Sequence, residues 1–172
     1  MTFVVPFDGS ELAEAAVARA VEFATVLDES VVAVTVVPAG NIDYARERGW
    51  LGPDAEFDLD AVVDHLRARL ADLSSDVEFE YITVDRYAPS GTIARRLRTF
   101  ADEAGASLVF LGSENAGRLV TALNSVGGSV AAGSGYDVVL VRECRPLTIE
   151  TIEEVSPFAD DRSDFYDDSE GA

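Results

Sequence analysis

The chain has 172 residues, of which 48% are hydrophobic, enough for one domain with its own core and too apolar for wholesale disorder. It carries 32 acidic against 13 basic residues, a net charge of −19, and every basic residue is Arg. So negative a surface repels nucleic acid and anionic lipid, which excludes both as partners. No apolar run approaches the roughly 18 residues of a membrane helix. The start Met1-Thr2-Phe3-Val4-Val5-Pro6-Phe7-Asp8 lacks a basic stretch and meets an aspartate early, so no secretory signal and a cytoplasmic location are expected. Cys144 is the single cysteine, which excludes an internal disulfide and a cysteine-rich zinc site. An acidic surface without Lys repels itself in dilute buffer and is relieved by salt, so a salt-in halophile is the expected source.

Strand-like and helix-like patterns alternate along the chain. Thr2 to Phe7 is a short apolar run and reads as the first strand. Gly9 and Ser10 break it, and Leu12, Ala16, Ala20, Phe23 and Leu27 then fall on one helical stripe. Ser10 suits the N-cap, and Glu11 and Glu14 suit the positive end of that helix. Val31 to Val37 is a nearly continuous β-branched run, as in a strand covered on both faces. Ala39 to Phe57, with Gly, Pro and mixed charges, reads as a loop or irregular insertion. Leu59, Val62, Val63, Leu66, Leu70 and Leu73 form a second helical stripe. Glu78 to Val84 alternates at its start and reads as an edge strand.

Pro89-Ser90-Gly91 opens the next helix, with its stripe at Ile93, Leu97, Phe100, Ala101 and Ala104. Leu108 to Leu111 is the fourth strand, ended by Gly112-Ser113. Leu119, Leu123, Val126 and Val130 mark a last helix containing Gly127 and Gly128, and Val138 to Val141 is the fifth strand. This alternation predicts an α/β domain with an open, five-stranded parallel sheet and helices on both faces, over residues 1–142. Residues 143–172 hold 10 acidic residues and 2 Arg, a net of −8, and read as an acidic extension, disordered towards its end. Phe158, Phe165 and Tyr166 could dock on the body or on a protein partner, but a solubilising role fits the composition better.

In open α/β sheets ligands bind beyond the carboxyl ends of the strands, where strand order reverses. Two loops there carry suitable residues. In Pro6-Phe7-Asp8-Gly9-Ser10, Asp8 can accept hydrogen bonds from a ribose or base, and the Gly9 and Ser10 amides open a helix. The competing reading is that Asp8 only caps that helix. In Gly112-Ser113-Glu114-Asn115-Ala116-Gly117, followed by Asn124-Ser125, glycines, hydroxyls and amides can cradle phosphates. Neither a Walker loop nor the dinucleotide-binding fingerprint is present.

The order strand, Val-Pro-x-Asp-Gly-Ser, amphipathic helix, Leu-Gly-Ser, Ser-Val and final Val-Val-Leu-Val-Arg resembles the universal stress protein family over residues 1–142. Val5 to Ser10 and Val109 to Ser113 carry the resemblance most closely. It implies strand order 3-2-1-4-5, which brings the two loops together. It also implies a regulatory module holding ATP or AMP with Mg²⁺. Asp8 would face base or ribose, Val36 or Val37 the base, and Gly112, Ser113 and Ser125 the phosphates, with Val126 also among the cofactor-binding positions. Asn115 and Asn124 stand where nucleotide-binding members of the family have glycines, and the loop from Gly112 is one residue shorter. Those departures favour the alternative of a nucleotide-free, stress-related dimer acting as a protein-interaction scaffold. Pairing through the fifth strand, Val138 to Val141, is also implied by the resemblance. Any hydrolysis would be slow, since no positioned base or arginine finger is apparent. An adenylating ATP-pyrophosphatase is disfavoured, because Ser-Gly-Gly-x-Asp-Ser is absent after the first strand.

The remaining candidates have plainer explanations. His65 reads as a surface or boundary histidine, and Cys144 as an unreactive thiol. Asp58, Asp60 and Asp64 suit a solvated helix start better than a metal site. Arg95, Arg96 and Arg98 read as ion-pair partners of the acidic surface, and Trp50 as the anchor of its loop rather than the cover of a pocket.

Overall fold

In a computed structural model, residues 1–89, 91–112 and 135–144 are described. The apolar runs form five parallel strands: β1 (Thr2–Pro6), β2 (Ser30–Ala39), β3 (Val77–Asp85), β4 (Ala106–Gly112) and β5 (Asp137–Val141). Their order across the sheet is β3-β2-β1-β4-β5. β1 and β2 read as almost unbroken apolar runs because both their faces are covered. Register follows from Val4 lying between Val32 of β2 and Val109 of β4. β3 at one edge is mostly exposed or half-buried, and Glu78 and Glu80 point to solvent.

One face of the sheet is covered by α1 (Glu11–Leu27) and α3 (Leu59–Leu73). α4 (Thr92–Glu103) packs on the other, over Val4, Val34, Val109 and Leu111. Phe110 centres the α1 side, its ring 5.5 Å from that of Phe3 and 5.4 Å from that of Phe23. Arg69 of α3 clamps the two helices by donating from Nε to Glu14 Oε1 at 3.0 Å.

The helix starts follow capping chemistry. Ser10 Oγ accepts from the Ala13 amide at 3.2 Å, and Asp58 Oδ1 accepts from Asp60 and Ala61. That accounts for Asp58 as the N-cap of α3, with Asp60 in its first turn. The α1 stripe differs from the sequence expectation. Ala13, Ala15, Ala16, Val17, Ala20 and Ala24 are buried, whereas Leu27 is 54% exposed. Alanines let the helix sit close to the sheet, and the large residues at its end project past it. Arg95, Arg96 and Arg98 form no ion pair with any described residue. Among the described residues no helix is long and apolar enough to cross a membrane.

The segment expected to be irregular contains a short helix, α2 (Ile42–Glu47). Asn41 Oδ1 accepts from the Tyr44 amide at 3.1 Å, and Asn41 Nδ2 donates to the Arg86 carbonyl at 3.1 Å. The insertion is thereby fastened to the chain just beyond β3.

Candidate functional site

β1 ends at Pro6, and Phe7 is still buried, so the chain must turn sharply to begin α1. Gly9 makes that turn at φ +77°, a conformation that side chains rarely adopt. Asp8 Oδ1 accepts from the Ser10 amide at 3.0 Å and closes a small turn around it. The carboxylate is half-buried, and Oδ2 makes no hydrogen bond to a described residue. Asp8 therefore does serve the turn, with one oxygen left for a ligand.

Two groups fix this loop from its flanks. Thr35 is a buried polar side chain within the valines of β2, and its Oγ1 donates to the Phe7 carbonyl. Trp50 Nε1 donates to the Asp8 carbonyl at 2.7 Å. The indole is 4% exposed, so it anchors the insertion, and it also forms a wall of a cleft beside Asp8.

That cleft is small, with a cavity volume of about 30 Å³, and opens to solvent at the carboxyl end of β1, against the flank of β2. Its floor is Pro6, Phe7, Val34 and Val36, and Ile93 and Leu97 of α4 form its apolar side. Asp8 and Thr35 contribute the acceptor and hydroxyl, while Tyr44, Arg48 and Trp50 come from the insertion. The Arg48 guanidinium carbon lies 3.4 Å from the Tyr44 ring centroid and 6.0 Å from that of Trp50. Tyr44 and Trp50 meet edge to face at 5.6 Å. Arg48 makes no ion pair with a described residue, Asp8 included.

The sequence candidates separate on the fold. Pro6, Asp8 and Val36 line the cleft. Gly9 and Ser10 form the adjoining turn. Val37 is wholly buried in the core on the α1 side. Gly112 ends β4, the neighbour of β1, and is buried against α1. A Cβ there would lie 2.7 Å from the Leu12 carbonyl carbon and oxygen, so close packing alone requires glycine. Ser113, Asn115, Asn124, Ser125 and Val126 lie outside the described residues. Sequence reasoning missed Thr35, Tyr44, Arg48, Ile93 and Leu97 as parts of the site. Thr35 left one signal, a lone hydroxyl in an otherwise apolar strand. Among the described residues no cluster of three or more His, Cys, Asp or Glu side chains is placed to hold a metal ion.

Fold and sequence together define the class of protein: the chain belongs to the universal stress protein family, whose sequence model matches residues 1–142. Among solved structures it is similar to a universal stress protein in complex with cAMP, at 25% identity and TM-score 0.48, over 83% of this chain and 97% of that one. A universal stress family protein from Burkholderia pseudomallei is 23% identical, with TM-score 0.48, over 83% of this chain and 96% of the other. The universal stress protein from Archaeoglobus fulgidus in complex with dAMP is 20% identical, with TM-score 0.42, over 82% and 96%. No curated protein sequence matches significantly.

Proposed function

We propose that the protein is a regulatory binding module whose ligand is an adenine nucleotide, ATP or AMP. The observation that carries this reading is the cleft at the end of β1, which the half-buried Asp8 lines together with the apolar Val34, Val36, Ile93 and Leu97. A slot with one well-placed acceptor suits a nucleoside, whose ring is flat and whose ribose donates hydroxyl protons. Asp8 takes the ribose or base edge, and Val36 lies against the base. The phosphates extend towards β4, to Gly112, Ser113 and Ser125, and carry Mg²⁺ with them. Binding rather than turnover is the output, and the cytoplasm is the site of action.

A second reading rests on β5. Val138 and Leu140 are 38% and 40% exposed on this edge strand, which suits pairing with a second copy. In that reading the protein is a dimeric scaffold without nucleotide, and the acidic extension is its contact with a protein partner.

Thermal-shift titration with ATP and AMP, with and without Mg²⁺, in molar KCl tests the first reading. A ligand that binds only the native state raises the melting temperature with its concentration. The expected result is a saturable rise that is lost in Asp8→Ala. Asp8→Asn keeps an acceptor for the Ser10 amide, so loss of the rise there separates ligand contact from damage to the turn. No rise at millimolar nucleotide would reject the nucleotide reading and favour the scaffold.

A further inference from the structure

We infer that Arg48, lying over the Tyr44 ring, is the stacking wall for the base of the bound nucleotide. The inference rests on the nucleotide reading above and names the residue that receives the base. Guanidinium groups are planar and weakly hydrated, and they stack on π faces as Lys cannot. At 3.4 Å from the Tyr44 centroid, one face of Arg48 is already engaged in this way. Arg48 lines the same cleft as Val36, Ile93 and Leu97. No carboxylate among the described residues pairs with it, although the protein has a net charge of −19.

The sheet order decides which part of the ligand meets it. β2 and β4 flank β1, so a ligand crossing the end of β1 has one end beside β2 and the other beside β4. Arg48 follows β2 in the chain and lines the cleft along with Val34 and Val36 of that strand. An apolar slot closed by a flat cation suits a heteroaromatic ring rather than a phosphate. The base is held between Val36 and the guanidinium, and Asp8 meets the ribose at the centre. The insertion is rigid enough for this task. Asn41 fixes its start, the Trp50 amide donates to the Ala45 carbonyl at 2.9 Å, and the Trp50 indole is bonded to Asp8.

Isothermal titration of the full chain with adenosine and with AMP, at one KCl concentration, tests this assignment. Arg48→Ala and Arg48→Lys should each weaken both ligands roughly tenfold, leaving the ratio of the two affinities unchanged. Lys retains the charge but not the flat face, so its failure to rescue identifies stacking. A loss confined to AMP would overturn the proposal and make Arg48 a phosphate contact. Unchanged affinities in both variants would overturn it while leaving the nucleotide reading intact. If the unmodified protein binds neither ligand, the nucleotide reading and the inference fall together.

Discussion

Gly112 and Asp8 end neighbouring strands, yet packing constrains them differently. Gly112 lacks a side chain because the first turn of α1 occupies its space, and an added Cβ would meet backbone that has no rotamer to yield. Gly112→Ala should cost about 1–3 kcal/mol and lower the melting temperature by several degrees. A melting temperature within a degree of the original would show that α1 can shift to admit a methyl group. Asp8 was legible in the sequence because it ends a strand, where open α/β sheets place their ligands. Val36 and Val37 came only through the family resemblance, and the alternation of faces along β2 puts Val36 in the cleft and Val37 in the core. Arg48 was not legible. Nothing in its local sequence distinguishes it from the exposed Arg46 two residues earlier; only the fold sets it over Tyr44 and beside the end of β1.

The elements were read more completely than their boundaries. Continuous β-branched runs marked β1 and β2, because strands covered on both faces need no polar alternation. The stripes of α3 and α4 followed helical spacing, and α1 was found with its buried face displaced towards the alanines. A small residue buries little apolar area and so contributes weakly to the pattern that pointed to Leu27. α2 escaped notice because six residues are too few for helical periodicity to show. The two edge strands differ in a way that matters for assembly. Glu78 and Glu80 line β3 with charge, which discourages pairing there, whereas β5 presents Val138 and Leu140. Leu140→Glu should therefore convert a dimer to a monomer by light scattering, with the circular dichroism of the fold retained. A dimer of undiminished mass in this variant, or a monomeric starting protein, would reject the β5 edge as the interface.

At the scale of the molecule, charge dominates. Few of the described acidic groups have a cation near them, and the pairs that form are surface pairs such as Arg67–Asp64 at 3.3 Å and Arg19–Glu22 at 3.1 Å. Each such pair contributes about 0–1 kcal/mol, too little to offset repulsion among the unpaired carboxylates. Salt screens such repulsion, and at 1 M the Debye length is only about 3 Å. The melting temperature should fall steadily as KCl is diluted from molar to millimolar, and a flat profile would contradict adaptation to a salt-rich interior. The strand order at this scale was reached through family resemblance rather than periodicity, since apolar patterning identifies strands without saying which lie side by side. The single tryptophan brings the molecular and local scales together. Trp50 is buried in the cleft wall, bonded to Asp8 and edge-on to Tyr44, so all of the protein's indole emission arises beside the candidate site. The chain thus carries its own optical reporter, whose wavelength and intensity register polarity in that cleft without a label.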